Sequence, residues 1–178
     1  MELNLSSPQD CVGDFTYNFI WQHKGERLKP ADIIPSQNGT SYTYEEVVDA
    51  LKNGEDVRIR GDAGKLLGSS LGVDLVFFGG NGKELPEVGS IIIDGNADSH
   101  LGLSMLAGAI YVRGEVQEFQ LGKEVGVAEL DENDSLLLRE LVGEFAYHFS
   151  CSAEQILQRK FIKLSPLYLR PYGRLYAY

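Results

Sequence analysis

Gly68-Ser69-Ser70-Leu71-Gly72 has the G-x-S-x-G spacing in which two glycines let a sharp bend hold a serine hydroxyl out as a nucleophile. That bend needs a strand before it and a helix after it. Here Val73-Asp74-Leu75-Val76-Phe77-Phe78 follows, a composition that predicts a strand, so Ser70 reads first as a polar corner. Gly79-Gly80-Asn81-Gly82 could bring backbone N–H groups against a phosphate. Lys83 is followed by Glu84 rather than Ser or Thr, however, and no helix opens there. Asp98-Ser99-His100 sets a carboxylate near an imidazole, the minimum for acid–base work. Asp62, Asn96 and Asp98 offer oxygens to a cation but lack the nonapeptide rhythm of stacked calcium sites. Cys11 and Cys151 form no C-x-x-C pair, and His23, His100 and His148 are scattered, so no metal-ligand set assembles from neighbours. The residues predict no catalytic group, no metal and no cofactor of the chain's own. A small esterase-like hydrolase using Ser70, or an acid–base site at Asp98 and His100, is the competing expectation.

The elements that must position these residues form a repeat. Val57-Arg58-Ile59-Arg60-Gly61-Asp62-Ala63-Gly64 runs on to Leu67-Gly68, and Leu75-Val76-Phe77-Phe78-Gly79 runs on to Val88-Gly89. Ile91-Ile92-Ile93-Asp94-Gly95-Asn96-Ala97 runs on to Leu101-Gly102, and Ile110-Tyr111-Val112-Arg113-Gly114 runs on to Leu121-Gly122. The marker glycines Gly61, Gly79, Gly95 and Gly114 lie 18, 16 and 19 residues apart, too few for strand–helix–strand crossovers. Short strands at that period bury their faces only by stacking, at about 4.8 Å per layer. The expectation is a mainly β chain: a right-handed parallel β-helix of about four coils with helical additions at both ends. An antiparallel meander is the alternative. Gly61, Ala63, Gly64, Gly79, Gly95, Ala97, Gly102, Gly108 and Gly114 would form its corners, with Ile59, Ile93 and Val112 buried in register. Before the coils, Phe15–Trp21 alternates like a strand, and the capping box Thr43-Tyr44-Glu45-Glu46 opens a helix that stops at Gly54. After them, Glu132–Phe149 has helical spacing, Ser152 opens a short helix, and Phe161–Leu164 reads as a strand closed by Pro166.

With 178 residues, 43% hydrophobic and 24% charged, the chain reads as one globular domain: an N-terminal segment 1–56, coils 57–127 and a cap 128–178. The net charge of −10 argues against nucleic acid and anionic membrane as partners. The first residues carry no basic n-region and no apolar h-region, and no membrane-length apolar run occurs, so a cytoplasmic protein is expected. The last twenty residues, from Arg159, hold five of the 16 bases and none of the 26 acids. Phe161, Tyr168, Arg170, Tyr172, Arg174 and Tyr176 there are the candidate interface, because Tyr and Arg are enriched where proteins dock.

Gly61-Asp62-Ala63-Gly64 with Leu67-Gly68, and Ile91 through Asp98 with Leu101-Gly102-Leu103-Ser104-Met105-Leu106-Ala107-Gly108-Ala109-Ile110-Tyr111-Val112-Arg113-Gly114, resemble the GXGXG-type coils of two related proteins. These are the β-helical subunit of formylmethanofuran dehydrogenase and the C-terminal domain of the glutamate synthase large subunit. The resemblance covers residues 56–126. Met105-Leu106-Ala107-Gly108 has Ala where the family's Met-x-Gly-Gly has its first Gly, and strict G-x-G-x-G is absent. The resemblance implies a β-helix without catalytic residues. It implies a scaffold that joins the subunits holding flavin, iron–sulfur or pterin chemistry, with other subunits or a second copy as partners.

Overall fold

The computed structural model describes residues 1–4, 31, 33–34, 42–60, 67–68, 70–74, 80–97, 100–113, 116, 121 and 125–167. In chain order the elements are β1 (Glu2–Asn4), β2 (Ile33–Ile34), β3 (Tyr42–Thr43), α1 (Tyr44–Lys52), β4 (Val57–Arg60), β5 (Ile91–Asp94), β6 (Ile110–Arg113), β7 (Val125–Ala128), α2 (Glu132–His148), α3 (Ala153–Leu157) and β8 (Phe161–Pro166). Ile91-Ile92-Ile93 and Ile110-Tyr111-Val112 are apolar at every position and too short for helices, the pattern of strands covered on both faces. They pair in parallel with each other, β5 pairs in parallel with β4 and β4 with β1, and the six-stranded sheet runs β1-β4-β5-β6-β8-β7.

Register turns the strands into rows of like side chains. Leu3, Ile59, Ile93 and Val112 stand side by side with exposures of 0–1%, as the alternation predicts for the last three. Val57, Ile91, Ile110 and Leu164 form a second buried row on the same face. That face packs on Val47, Val48 and Leu51 of α1 and on Leu67, Leu71, Leu101 and Met105. The opposite face sets Ile92, Tyr111 and Phe161 against Leu138, Leu141, Val142, Phe145 and Phe149 of the α2 region and Ile156 of α3. Both long-helix starts are capped reciprocally. The Thr43 hydroxyl accepts the Glu46 N–H at 3.2 Å while the Glu46 carboxylate accepts the Thr43 N–H at 2.7 Å. Asp131 and Asp134 do the same for α2, a box that the Ser/Thr pattern does not flag.

This architecture corrects the expected right-handed parallel β-helix of four coils: the sheet is mixed and flanked by helices. Two findings overturn the column. First, β4 pairs directly with β5, so the unit around Leu75–Gly82 contributes no layer between them. The described residues on either side of it meet antiparallel instead: Val73 bridges Glu84, the Asp74 N–H donates to the Lys83 carbonyl at 2.8 Å, and the Gly82 N–H donates to the Asp74 carbonyl at 2.7 Å. Second, the far side of β6 is taken by β8, which runs antiparallel and brings β7 with it. The physical reason is two-sided burial. Phe161 serves the α2 face while Ile162 and Leu164 serve the opposite one, so the C-terminal segment satisfies both cores and the open edge at once. The expected strand Phe15–Trp21 lies outside the described residues.

Candidate functional site

The repeat that survives has a 34-residue offset, from Val57 to Ile91 and from Leu67 to Leu101. Its corners are two Leu-Gly-x-Ser turns laid one on the other. Gly102 N–H donates to the Leu67 carbonyl, and Ser70 N–H to the Leu103 carbonyl, both at 2.8 Å. Gly68 and Gly102 take φ of 73° and 62°, and Ser70 and Ser104 follow at 57° and 64°. A Cβ on Gly68 would strike the Ile110 side chain, and one on Gly102 would stand 2.7 Å from Met105 Sδ, so with their left-handed φ both positions favour glycine. Gly108, at φ 78°, meets Leu71 and Val88, and Ala97 packs on the first core. Gly95 differs from the corner expectation: it is not among the glycines with left-handed φ. Gly61, Ala63, Gly64, Gly79 and Gly114 lie outside the described residues, as do Asp62 and Asp98.

Ser70 is 6% exposed, in a turn that leads to the Val73 bridge rather than to a helix. The structure therefore gives it no elbow from which to attack. His100 is exposed, with φ 63°. In the glycine-rich loop, the Asn81 N–H that a phosphate would need donates instead to Asp74 Oδ2 at 3.0 Å, and Lys52 pairs with Asp74 Oδ1 at 3.0 Å. Burial pushes the Asp74 carboxyl up, but Lys52 and the Asn81 N–H outweigh it and hold the group below the ordinary value. The chain has supplied its own anion there. Among the described residues, no group of three or more His, Cys, Asp or Glu is placed to hold a metal.

A charged row that none of the sequence motifs singles out crosses the carboxyl ends of three parallel strands. Arg60 ends β4, Asp94 ends β5 and Arg113 ends β6; Arg60 and Asp94 are register partners, and Arg113 is ion-paired with Asp94. Asp94 is the buried member, its side chain 9% exposed, whereas Arg60 is exposed. Arg60 Nη1 also reaches the Phe149 carbonyl at 3.4 Å, just beyond α2. Burial pushes the Asp94 carboxyl above its ordinary value even though Arg113, Arg60 and Arg159 all pull it down. Half-buried Cys151 faces the same cluster, and burial followed by the Asp94 charge raises its thiol, making it a poor nucleophile. The sequence held a signal: each of these residues immediately precedes a marker glycine, as Arg60-Gly61, Asp94-Gly95 and Arg113-Gly114.

On the α2 side of the sheet, Arg58 is buried and ion-paired with Glu144, and Lys163 with Asp134. Of the candidate interface, Phe161 is 4% exposed inside the second core and so cannot dock a partner; Tyr168, Arg170, Tyr172, Arg174 and Tyr176 lie outside the described residues. Exposed apolar side chains instead gather on α2, where Leu136 is 66%, Leu137 42% and Tyr147 82% exposed. No helix among the described residues is long and apolar enough to cross a membrane.

No family model matches the chain, and no solved structure matches it significantly. It is similar to an uncharacterized protein of Methanothermobacter thermautotrophicus, 48% identical over 118 residues that make up 66% of this chain and 37% of that one. It is also similar to an uncharacterized protein of Methanocaldococcus jannaschii, 32% identical over 80 residues, or 43% of this chain and 31% of that one. The chain thus spans about a third of the length of the curated relatives it matches.

Proposed function

We propose that this chain is a non-catalytic module that organises a cytoplasmic redox enzyme complex, the role implied by its resemblance to the β-helical subunit of formylmethanofuran dehydrogenase and the glutamate synthase C-terminal domain. The observation that carries the reading is where the motif residues go. Gly68, Gly102 and Gly108, with Ser70 and Ser104, are committed to left-handed turns and close stacking, so the motif builds a rigid shelf rather than a reaction centre. The exposed α2 side chains Leu136, Leu137 and Tyr147 supply a face for another subunit or a second copy. In the Methanothermobacter relative the matching stretch is a minor part of a longer chain, which supports a module that works beside further protein. The test is affinity purification of the full chain from its native extract, followed by absorption spectroscopy and mass spectrometry. A stoichiometric partner carrying flavin, iron–sulfur or pterin absorbance is expected. A colourless, unpartnered monomer overturns the proposal.

A further inference from the structure

An open groove of about 690 Å³ runs between α2, α3 and the β7–α2 link. Its floor is Leu130, Leu138 and Leu157, and its rim includes Arg139, Glu154 and Gln158. Leu157 is 38% exposed and Leu130 half-buried, so a strip of apolar surface stays open in a cleft of ligand-binding size. Residues 168–178 fit it by composition: four tyrosines, two leucines and two arginines, with no acid. Residues 129–160, which build the groove, hold seven acids against three bases. With Asp134 paired to Lys163 and Glu144 to Arg58, five acids still face three bases. Tyrosine buries apolar area on such a floor and offers its ring to Arg139, while Arg170 and Arg174 complement the acidic surplus. Direction then decides whose groove is filled. β8 begins at Phe161, three residues after Gln158, and runs away from the groove. Lys163 lies opposite Ala128, two residues before Leu130, and Pro166 lies opposite Val125. The chain therefore leaves the sheet at the end remote from its own groove. Doubling back to the level of Phe161 uses about five of the eleven residues, whereas all eleven, about 36 Å when extended, reach outward without reversal.

We infer that residues 168–178 of a second copy occupy this groove, and that two copies exchange these segments reciprocally. The inference rests on the reading of the chain as an assembling module and names the partner at one of its surfaces. Reciprocal exchange closes at two copies, because each copy gives one segment and fills one groove. Leu136 and Leu137 do not line the groove, so the exposed face of α2 stays open to a different subunit.

The experiment is light scattering of the full chain over about a hundredfold range of concentration, with and without excess synthetic peptide of residues 168–178. A dimer that the peptide, but not its scrambled form, converts to monomer is expected. Fluorescently labelled peptide then binds the chain saturably. Leu157→Glu in the full chain lowers the assembled mass and weakens peptide binding by about tenfold or more, since a carboxylate then stands on the apolar floor. Glu154→Lys on the rim weakens binding in the same direction. Both variants change exposed side chains, so their melting temperatures stay near wild type. Leu136→Glu leaves peptide binding unchanged. A full chain that is monomeric throughout the range overturns the second copy as occupant. Peptide that does not bind, or that binds wild type, Leu157→Glu and Glu154→Lys equally, overturns the groove. A colourless homodimer from native extract removes the redox reading and leaves this inference standing.

Discussion

Asp94 and Asp134 show how one residue type takes opposite roles from its surroundings. The Lys163 ammonium beside Asp134, opposed by burial and helped by the Asp131 N–H, holds that carboxyl below 3.8. A depressed folded value means a contribution to stability that is present above pH 3.8 and is lost as pH falls through the folded value. Asp134→Asn therefore lowers the melting temperature at pH 7, and the gap to wild type closes as the solution is acidified below 3.8. Asp94 has the reverse sign. Burial raises its folded value, so its ionisation costs stability as pH rises above 3.8, and Asp94→Asn is tolerated at neutral pH. Paired melting curves across pH check both, and parallel curves for Asp134→Asn at every pH contradict the assignment. Ile93 is the third residue whose place decides an outcome. It is 0% exposed between Ile59 and Val112, so Ile93→Asp puts an unpaired carboxylate in the apolar row and costs on the order of 4 kcal/mol or more. Soluble variant protein with wild-type denaturant resistance would refute that register.

Among the elements, α2 is held by caps and contacts rather than by uniform propensity. Its Asp131–Asp134 box fixes the first turn, and Phe145 stacks toward Phe149 with ring centres 4.6 Å apart at the other end. Between them Gly143 is exposed, and a methyl group added there would meet nothing within 4 Å. Gly143→Ala then gains helix propensity with no clash, raising stability by about 0.5–1 kcal/mol in chemical denaturation. An unchanged midpoint would mean that α2 contributes little to the cooperative unit. The turns show the opposite use of glycine, since at Gly68 and Gly102 the Ile110 and Met105 side chains stand where a Cβ would go.

At the scale of the whole chain, residues 168–178 add Arg170, Arg174 and four tyrosines to an acidic protein. If those residues serve the proposed assembly, deleting 168–178 leaves thermal stability near wild type and reduces the assembled mass seen by light scattering. An unchanged mass removes them from the interface. The exposed apolar side chains of α2 remain the other route to association, so Leu136→Glu in the full chain separates the two.

Local elements were legible in the chain. Thr43 and Glu46 define the start of α1, the spacing of Leu141, Phe145 and Phe149 defines α2, and the triple-apolar runs define β5 and β6. So was the inward face of the strands, because alternation is a property of the backbone. The order of the strands was settled by folding alone. Periodic glycines at 16–19 residues fit a column, but pairing is chosen by what buries both faces of β6, and β8 does so in place of a further coil. The same choice made the Arg60–Asp94–Arg113 row. Each residue closes its own strand in sequence, 34 and 19 residues apart, and the row exists only because parallel in-register pairing brings the three strand ends together. Charge that lies far apart along the chain becomes a contiguous row through register, and register is a long-range property that no local pattern encodes.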